Sequence, residues 1–580
     1  RRAIDVWPDN PMGWGAAELK HRCQWNFPIA FSRHDPDVLL VAAEALFRSD
    51  DLGHSWKQIS PDLTRNDKSR MGKSGGPITK DDTSVEYYGT VFALAESARE
   101  AGVIWAGSDD GLVHLTRDGG QSWENVTPPD LPEWSQVNSI DADPFHAGGA
   151  YIAATRYKLD DFRPYLFHTQ DWGRTWRRIT DGIDAAHFTR ALRADPAREG
   201  LLYAGTERGL YYSLDNGGRW QPLQLNLPEV PITDLQVKGS DLVAATQGRG
   251  FWILDELAVL RQLAGRGDAA AHLYAPEPAY RLLNPRRDDD PEDAGTNPRP
   301  GVSFYYHLGE APDDDTALSL AVYEEGAAEA IWTWTRRPAA GAARGDNAME
   351  PDTRLLGADA GLNRFTWDLR YPPMERFDGL ILWSDMKRGP TAVPGRYRAV
   401  LEVGAQSQEQ AFEVLPDPRA SASAADYAAQ FAFVTEVRDL LSRTHRAIGR
   451  VRALRGQLDT LRSRLNGDAA GGGEALRQAI DDFDGAMTAI EEALYQTRNE
   501  SRQDPLNFPI RLNDKLSSLM RLVAGSDAAP TTQALAVKEE LGGRARKQLA
   551  RLDTLWEEAL PALNARIRES GMGMLYLAGD

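Results

Sequence analysis

The sequence predicts a mainly β protein with an α-helical C-terminus: β-propeller blades, then an immunoglobulin-like β-sandwich, then an antiparallel helical bundle. Three observations carry this. A turn of pattern S/T-x-D-x-G-x-S/T-W recurs in one register, starting at Ser49, Thr116, Thr169 and, in a weaker copy, Ser213. Short β-rich runs between Gly- and Pro-rich turns continue beyond the last copy as far as Val414. From Tyr427 onward, apolar residues recur at three-four spacing over long stretches.

The recurrent turn has the chemistry of a hairpin. Asp51, Asp118, Asp171 and Asp215 each offer a carboxylate to turn N–H groups, and Gly53, Gly120, Gly173 and Gly217 supply a positive φ. Trp56, Trp123, Trp176 and Trp220 are apolar plugs beyond the turn. Two short strands precede each turn, as in residues 103–107 leading to 111–115, and a further strand lies upstream, as in residues 91–95. Four strands per repeat is a propeller blade. About five blades therefore occupy residues 25–257 of a first domain set at 1–260, and the fifth, without the turn, lacks an outer strand. An open edge is an aggregation hazard. The missing strand is expected from residues 1–24 or, alternatively, the missing blades lie on another chain.

From 271 to 415 the pattern stays β but loses the turn, which predicts the sandwich. The acidic stretch 286–293 and the Gly/Ala-rich stretch 338–347 read as exposed loops. Between 420 and 570 the apolar positions from Tyr427 to Leu465, from Leu476 to Leu494, near 512–523 and from Leu541 to Ile567 predict a helical bundle, with a turn at Gly471, Gly472 and Gly473. The stripe reads as bundle core, and alternatively as an oligomerisation or partner seam.

Composition narrows the function. The chain has 580 residues, a net charge of −19 and a pI near 5.1, which disfavours nucleic acid or an anionic membrane as the main partner. One cysteine, Cys23, excludes an intramolecular disulfide and a Cys-based zinc cluster. No apolar run is long enough to span a bilayer. The opening Arg1, Arg2, Ala3, without Met or a signal-like segment, reads as a processed or truncated product.

At the recurrent turns the chain resembles the Asp-box, or bacterial neuraminidase repeat, propellers, a set that includes sialidases and sortilin-type receptors. It most resembles large exported bacterial proteins labelled sortilin-like or glycosyl hydrolase, on residues 7–15, 106–112 and 154–165. The resemblance is strong over residues 1 to about 260 and looser beyond. It implies further repeats upstream, so that this chain resembles a C-terminal half completed by a second polypeptide, an N-terminal half or a larger envelope assembly. It also implies an exported location and places the Asp-box turn opposite the ligand mouth. The box itself is structural in such families, and the hydrolase label rests on fold analogy.

The ligand face is then expected at the second-to-third strand turns and the blade-to-blade crossovers. The turns contribute Glu44, Asp109, Asp110, the insertion 156–164 with Arg156, Tyr157, Asp160, Asp161 and Arg163, then Glu207, Arg208, Gln247 and Arg249. The crossovers add residues 73–82, Glu86, Tyr87, Tyr88, Trp134 and His187. Carboxylates, arginines and aromatics suit a polar ligand such as a glycan or peptide. The leading expectation is a non-catalytic binding or scaffold protein with Arg156, Tyr157, Asp160, Asp161, Arg163, Arg208 and Arg249 on the ligand. The alternative is a sialidase-like glycoside hydrolase using Glu86, Tyr87, Asp109 and Glu207. No cofactor motif is present, His114, His168 and His187 lack metal spacing, and the acidic runs 288–290 and 313–315 lack an EF-loop pattern.

Overall fold

The computed structural model describes residues 3–267, 269–283, 295, 297–336, 355–467 and 473–577. Stretches 286–293 and 338–347, with Gly471 and Gly472, thus lie outside or largely outside the described residues. The chain divides into two compact units, Arg1–Gly267 and Asp268–Asp580.

Five antiparallel meanders follow one another in the first unit. The first four have four strands each: β1 (Ile29–Phe31) to β4 (Lys57–Gln58), β5 (Val91–Glu96) to β8 (Glu124–Asn125), β9 (Gln136–Ala142) to β12 (Arg177–Arg178), and β13 (Thr189–Ala194) to β16 (Gln221–Pro222). The fifth has three: β17 (Ile232–Lys238), β18 (Asp241–Thr246) and β19 (Phe251–Leu254). Helix α1 (Ala258–Arg266) leaves where the others turn back. The central strands carry no polar alternation because both of their faces are covered, as in β10 (Ala150–Arg156), buried along nearly its whole length. One apolar layer fills each junction between successive sheets. Trp105 and Leu115 meet Ile152 and Phe167, for example, and Leu166 and Ile179 meet Leu192 and Trp220.

The recurrent turns fasten these junctions. Asp118 Oδ1 accepts Ser122 N–H at 2.9 Å, its Oδ2 accepts the Ser122 hydroxyl at 2.6 Å, and the Thr116 hydroxyl donates to Oδ1 at 2.8 Å. Asp51 and Asp171 make the same set with Ser55 and Thr175. Asp215 keeps the Ser213 hydroxyl and the Arg219 N–H but lacks the third bond, because Arg219 stands where the others have a hydroxyl. Each Trp then donates its indole N–H to the preceding sheet: Trp123 to Ile59 O, Trp176 to Val126 O and Trp220 to Ile179 O, at 2.7–2.9 Å. The turn glycine lies against that same residue. At Gly217, with φ of 78°, an added Cβ would come within 2.8 Å of Ile179.

For the first sheet the acceptor is Ile4, whose carbonyl takes the Trp56 N–H at 2.9 Å. The described residues of this segment, 3–24, therefore do not add a strand to the fifth sheet, and Ile4 stands where the other junctions have the end of a preceding outer strand. A buried anchor holds the segment there. Arg22 donates to Gly89 O, Asp62 and Thr64, and Glu44 accepts both Arg22 N–H and His21 Nδ1.

The second unit is β first and α after. A three-stranded sheet, β20 (Ala271–Leu273), β22 (Val302–Leu308) and β25 (Gly361–Trp367), shares one core with a five-stranded sheet. The latter runs in the order β21 (Ala279–Arg281), β27 (Gln406–Pro416), β26 (Gly395–Val403), β23 (Leu318–Glu324), β24 (Trp332–Thr335), and only β21 with β27 is parallel. Beyond it, α2 (Ala424–Gly467), α3 (Glu474–Leu494), α4 (Leu512–Ala524), α5 (Thr532–Thr554) and α6 (Leu560–Glu569) enclose a single apolar core. The run from Leu541 to Ile567 is thus two helices rather than one. They meet at a wide π-type turn, Leu555–Ala559, ahead of Pro561, which has no N–H for an ordinary helical bond.

Candidate functional site

Antiparallel strands alternate in direction, so the second-to-third strand turn of a sheet and its crossover to the next fall at the same end. The recurrent Asp turns, between third and fourth strands, fall at the other. The expected ligand residues consequently share one end of the sheet run. They do not all share one site.

Around the third and fourth sheets several of them converge. The turn between β10 and β11 (Asp161–Thr169) and the crossover into β13 border an open hollow of about 600 Å³, lined by Arg156, Leu159, Asp160, Phe162, Arg163 and Asp184, among others. Asp161 organises its cationic side. It accepts Arg163 Nε at 2.9 Å and Nη2 at 2.8 Å, takes the Tyr165 hydroxyl at 2.7 Å, and lies 3.7 Å from Arg156 Nη1. The Arg163 hydrogen bonds, chiefly, hold its carboxyl well below the usual carboxylate range despite partial burial. Asp161 is thus a positioning residue with its lone pairs committed.

An aromatic shelf adjoins this pair. Tyr157 stacks on Phe188 with centroids 4.8 Å apart and planes at 17°, and Phe162 tilts against Phe188 at 6.1 Å. Arg190 covers Tyr157 and Phe188 and binds Glu207 at 2.7 Å. Its placement follows from a register shift between Thr189 and Ala191, a bulge that re-aims one side chain at the end of the strand. Asp160, in the left-handed region at φ of 60°, and Asp184 put carboxylates at the rim. Of its three rings Phe162 is half exposed, Tyr157 is partly buried and Phe188 is buried, so the shelf meets solvent through Phe162. Sequence reasoning missed Phe188, Asp184 and Arg190. The signal for Phe188 was its neighbour His187, a crossover residue of the correct end.

The residues weighed for catalysis sit apart, each with its own partner. Glu86 is exposed, accepts the Trp25 indole N–H at 2.9 Å and titrates below its ordinary range because of that bond. The Tyr87 ring is buried, with its hydroxyl donating to Pro11 O and Trp14 O, and burial raises its pKa. Neighbours in extended chain, the two point to opposite sides. Asp109 accepts Gly89 N–H, Thr90 N–H and the Thr90 hydroxyl, and burial pushes its carboxyl up to about 7. Asp110 accepts Arg65 N–H and the Ser108 hydroxyl. Glu207 belongs to Arg190, two sheets further on. Arg208 pairs with Glu229 at 3.4 Å, and Arg249 lies exposed in the β18–β19 turn.

The histidines serve the fold. His168 stacks on Tyr151 at 4.4 Å, His187 meets the Tyr211 hydroxyl at 2.9 Å, and burial lowers the pKa of His114. Asp313 caps its own turn through Thr316, and Asp314 pairs with Arg336. Among the described residues no cluster of three or more metal-capable side chains occurs, and no helix is long and apolar enough to cross a membrane.

No family model and no curated protein matches the chain. Solved structures resemble parts of it. A GH74 xyloglucanase from Xanthomonas campestris is 19% identical over 40% of this chain and 36% of its own, with a TM-score of 0.30. An ancestral GH74 enzyme is 17% identical over 53% and 38%, at 0.31. YCF48 bound to D1 peptide is 17% identical over 44% and 71%, at 0.26. The chain thus spans little more than a third of the length of the two GH74 structures.

Proposed function

We propose that this chain is an exported binding or scaffold protein of the Asp-box, sortilin-like kind, whose sheet run holds a polar ligand, a glycan or peptide, and whose helices serve assembly. On this reading the β region, with its eight described strands, is an immunoglobulin-like spacer. One observation carries the proposal: an open hollow of about 600 Å³ whose lining sets Phe162, the exposed ring of an aromatic shelf, beside a guanidinium locked by Asp161. A stacking surface beside a fixed donor suits a sugar ring or an extended peptide.

The test is a glycan and peptide array probed with the full chain. A hit should weaken about tenfold or more in Phe162→Ala and Arg163→Ala at unchanged melting temperature. A hit indifferent to both, and to Tyr157→Ala, would place the ligand elsewhere.

A second reading, a sialidase-like glycoside hydrolase at the same end, draws on Asp109, whose carboxyl is held near neutrality as a general acid requires. Against it stand the three hydrogen bonds that Asp109 already accepts and the dispersal of Glu86, Tyr87 and Glu207. Turnover of a chromogenic glycoside that is lost in Asp109→Asn and Glu207→Gln would establish it.

A further inference from the structure

A strap crosses the helices of the second unit. Residues 371–390 carry neither helix nor strand, a length uncommon for a connection inside a compact unit and typical of lids and binding loops. The two ends are clamped to each other. Arg370 and Thr391 form an antiparallel bridge, Tyr371 N–H donates to Pro390 O at 2.9 Å, and Arg370 Nη1 donates to Gly389 O at 3.2 Å. Between these ends the strap lies on the bundle, with Met374, Leu382 and Met386 buried in the bundle core. Its backbone is held by helix side chains: Glu375 N–H donates to the Ser442 hydroxyl, Ile381 N–H to the Tyr495 hydroxyl, and Trp383 and Ser384 N–H to Asp514.

One further anchor is a buried histidine, His445 of α2. Its Nδ1 lies 2.7 Å from Glu375 O, which can only accept, so the ring proton sits on that nitrogen. Nε2 must then accept, and Asn513 Nδ2 stands 3.3 Å from it. The Asn513 amide is fixed the other way round as well, because its Oδ1 accepts Asp514 N–H at 2.8 Å. A second proton on the ring would therefore set two donors face to face. The carboxylates on the elements packed here are already engaged: Glu375 by Arg446, Asp385 by Arg376, Glu491 of α3 by Arg452 and Arg455, and Asp514 of α4 by the strap itself. Phe377 meets the ring edge-on at 5.5 Å. Burial, with Arg376 nearby, holds the His445 pKa at about 4 rather than 6.5.

We propose that the strap is an acid-released latch: protonation of His445 lifts residues 371–390 off the helices, while the clamp at Arg370 and Thr391 and the bundle beneath stay folded. With the strap away the ring is an ordinary solvated histidine and binds the proton that the closed form refuses. The ratio of open to closed forms therefore rises about tenfold per pH unit below 6.5, by about 300-fold at pH 4. Asp514 acts in the opposite sense. Burial raises its carboxyl, so it holds a proton more tightly with the strap in place and resists release at the acid end of that window. Opening uncovers the apolar groove that Met374, Leu382 and Met386 fill. The latch does not depend on the ligand reading above.

Hydrogen exchange of the full chain between pH 7 and 4, corrected for the intrinsic rate at each pH, tests this. The amides of Ile381, Trp383 and Ser384 should lose protection as pH falls, by up to about 300-fold, while amides in the middle of α2 and α3 keep theirs. His445→Gln should remove the acid-driven loss. Asn513→Asp should remove it by the opposite route, since a carboxylate at that position accepts the second ring proton and lets the charged ring stay under the strap, a rescue that loosened packing does not give. Strap protection equal at pH 7 and pH 4 in the parent protein overturns the proposal. So does a loss in step with that of α2 and α3, which is unfolding of the bundle, or a loss that persists in both variants.

Discussion

A single missing hydroxyl sets the fourth turn apart. Ser55, Ser122 and Thr175 give their Asp a second bond, and Arg219 cannot. Arg219→Ser should therefore stabilise the first unit, by about 0.5–1.5 kcal/mol, read as a higher urea midpoint at unchanged slope. Gly217→Ala should do the reverse, by about 1–3 kcal/mol, because its Cβ meets Ile179 in a left-handed conformation. Acid should also act through these turns. The Ser122 hydroxyl and N–H hold the Asp118 carboxyl down to about 2, and Ser55 N–H and the neighbouring hydroxyls do the same for Asp51. A carboxyl depressed in the folded state contributes fully above its unfolded value near 4, and that contribution is lost as pH falls toward 2. Unfolding midpoints between pH 5 and 2 should fall less steeply in Asp118→Asn than in the parent protein.

Elements were legible where one residue type had one job. Trp and Gly at fixed offsets marked the hairpins, and leucines at three-four spacing marked α2 and α3, because those patterns are set by local geometry. The hollow and the aromatic shelf beside it were legible only in part. Arg156, Tyr157 and Arg163 sit on the insertion that drew notice, whereas Phe188 and Arg190 arrive from the next sheet through packing and a bulge that no local pattern encodes. The stretch of chain from Tyr371 to Pro394 was equally opaque. It lies on α2 and α4, where His445 Nδ1 meets Glu375 O at 2.7 Å and Asp514 accepts Trp383 and Ser384 N–H. Burial lowers the His445 pKa to about 4. The unfolded chain then binds a proton between pH 6.5 and 4 that the folded chain does not, so this stability is complete above pH 6.5 and lost as pH falls. His445→Gln should flatten the pH dependence of bundle unfolding in that window.

At the scale of the whole molecule the chain is two bodies with separate cores, divided at Gly267. Calorimetry should resolve two transitions, and Gly217→Ala should move one of them while leaving the other in place. A single transition shifted as a unit would show the bodies to be coupled. Within the first body the four tryptophans of the Asp turns donate backward, Trp56 to Ile4 and the other three to an earlier sheet, and none of the four donates forward. For these indole bonds dependence therefore runs one way. During synthesis each new turn emerges to find its acceptor carbonyl already in place, so assembly proceeds without waiting for residues still in the ribosome. Damage obeys the same arrow: a lesion in an outer strand unfastens the sheet made after it and leaves the one made before it fastened.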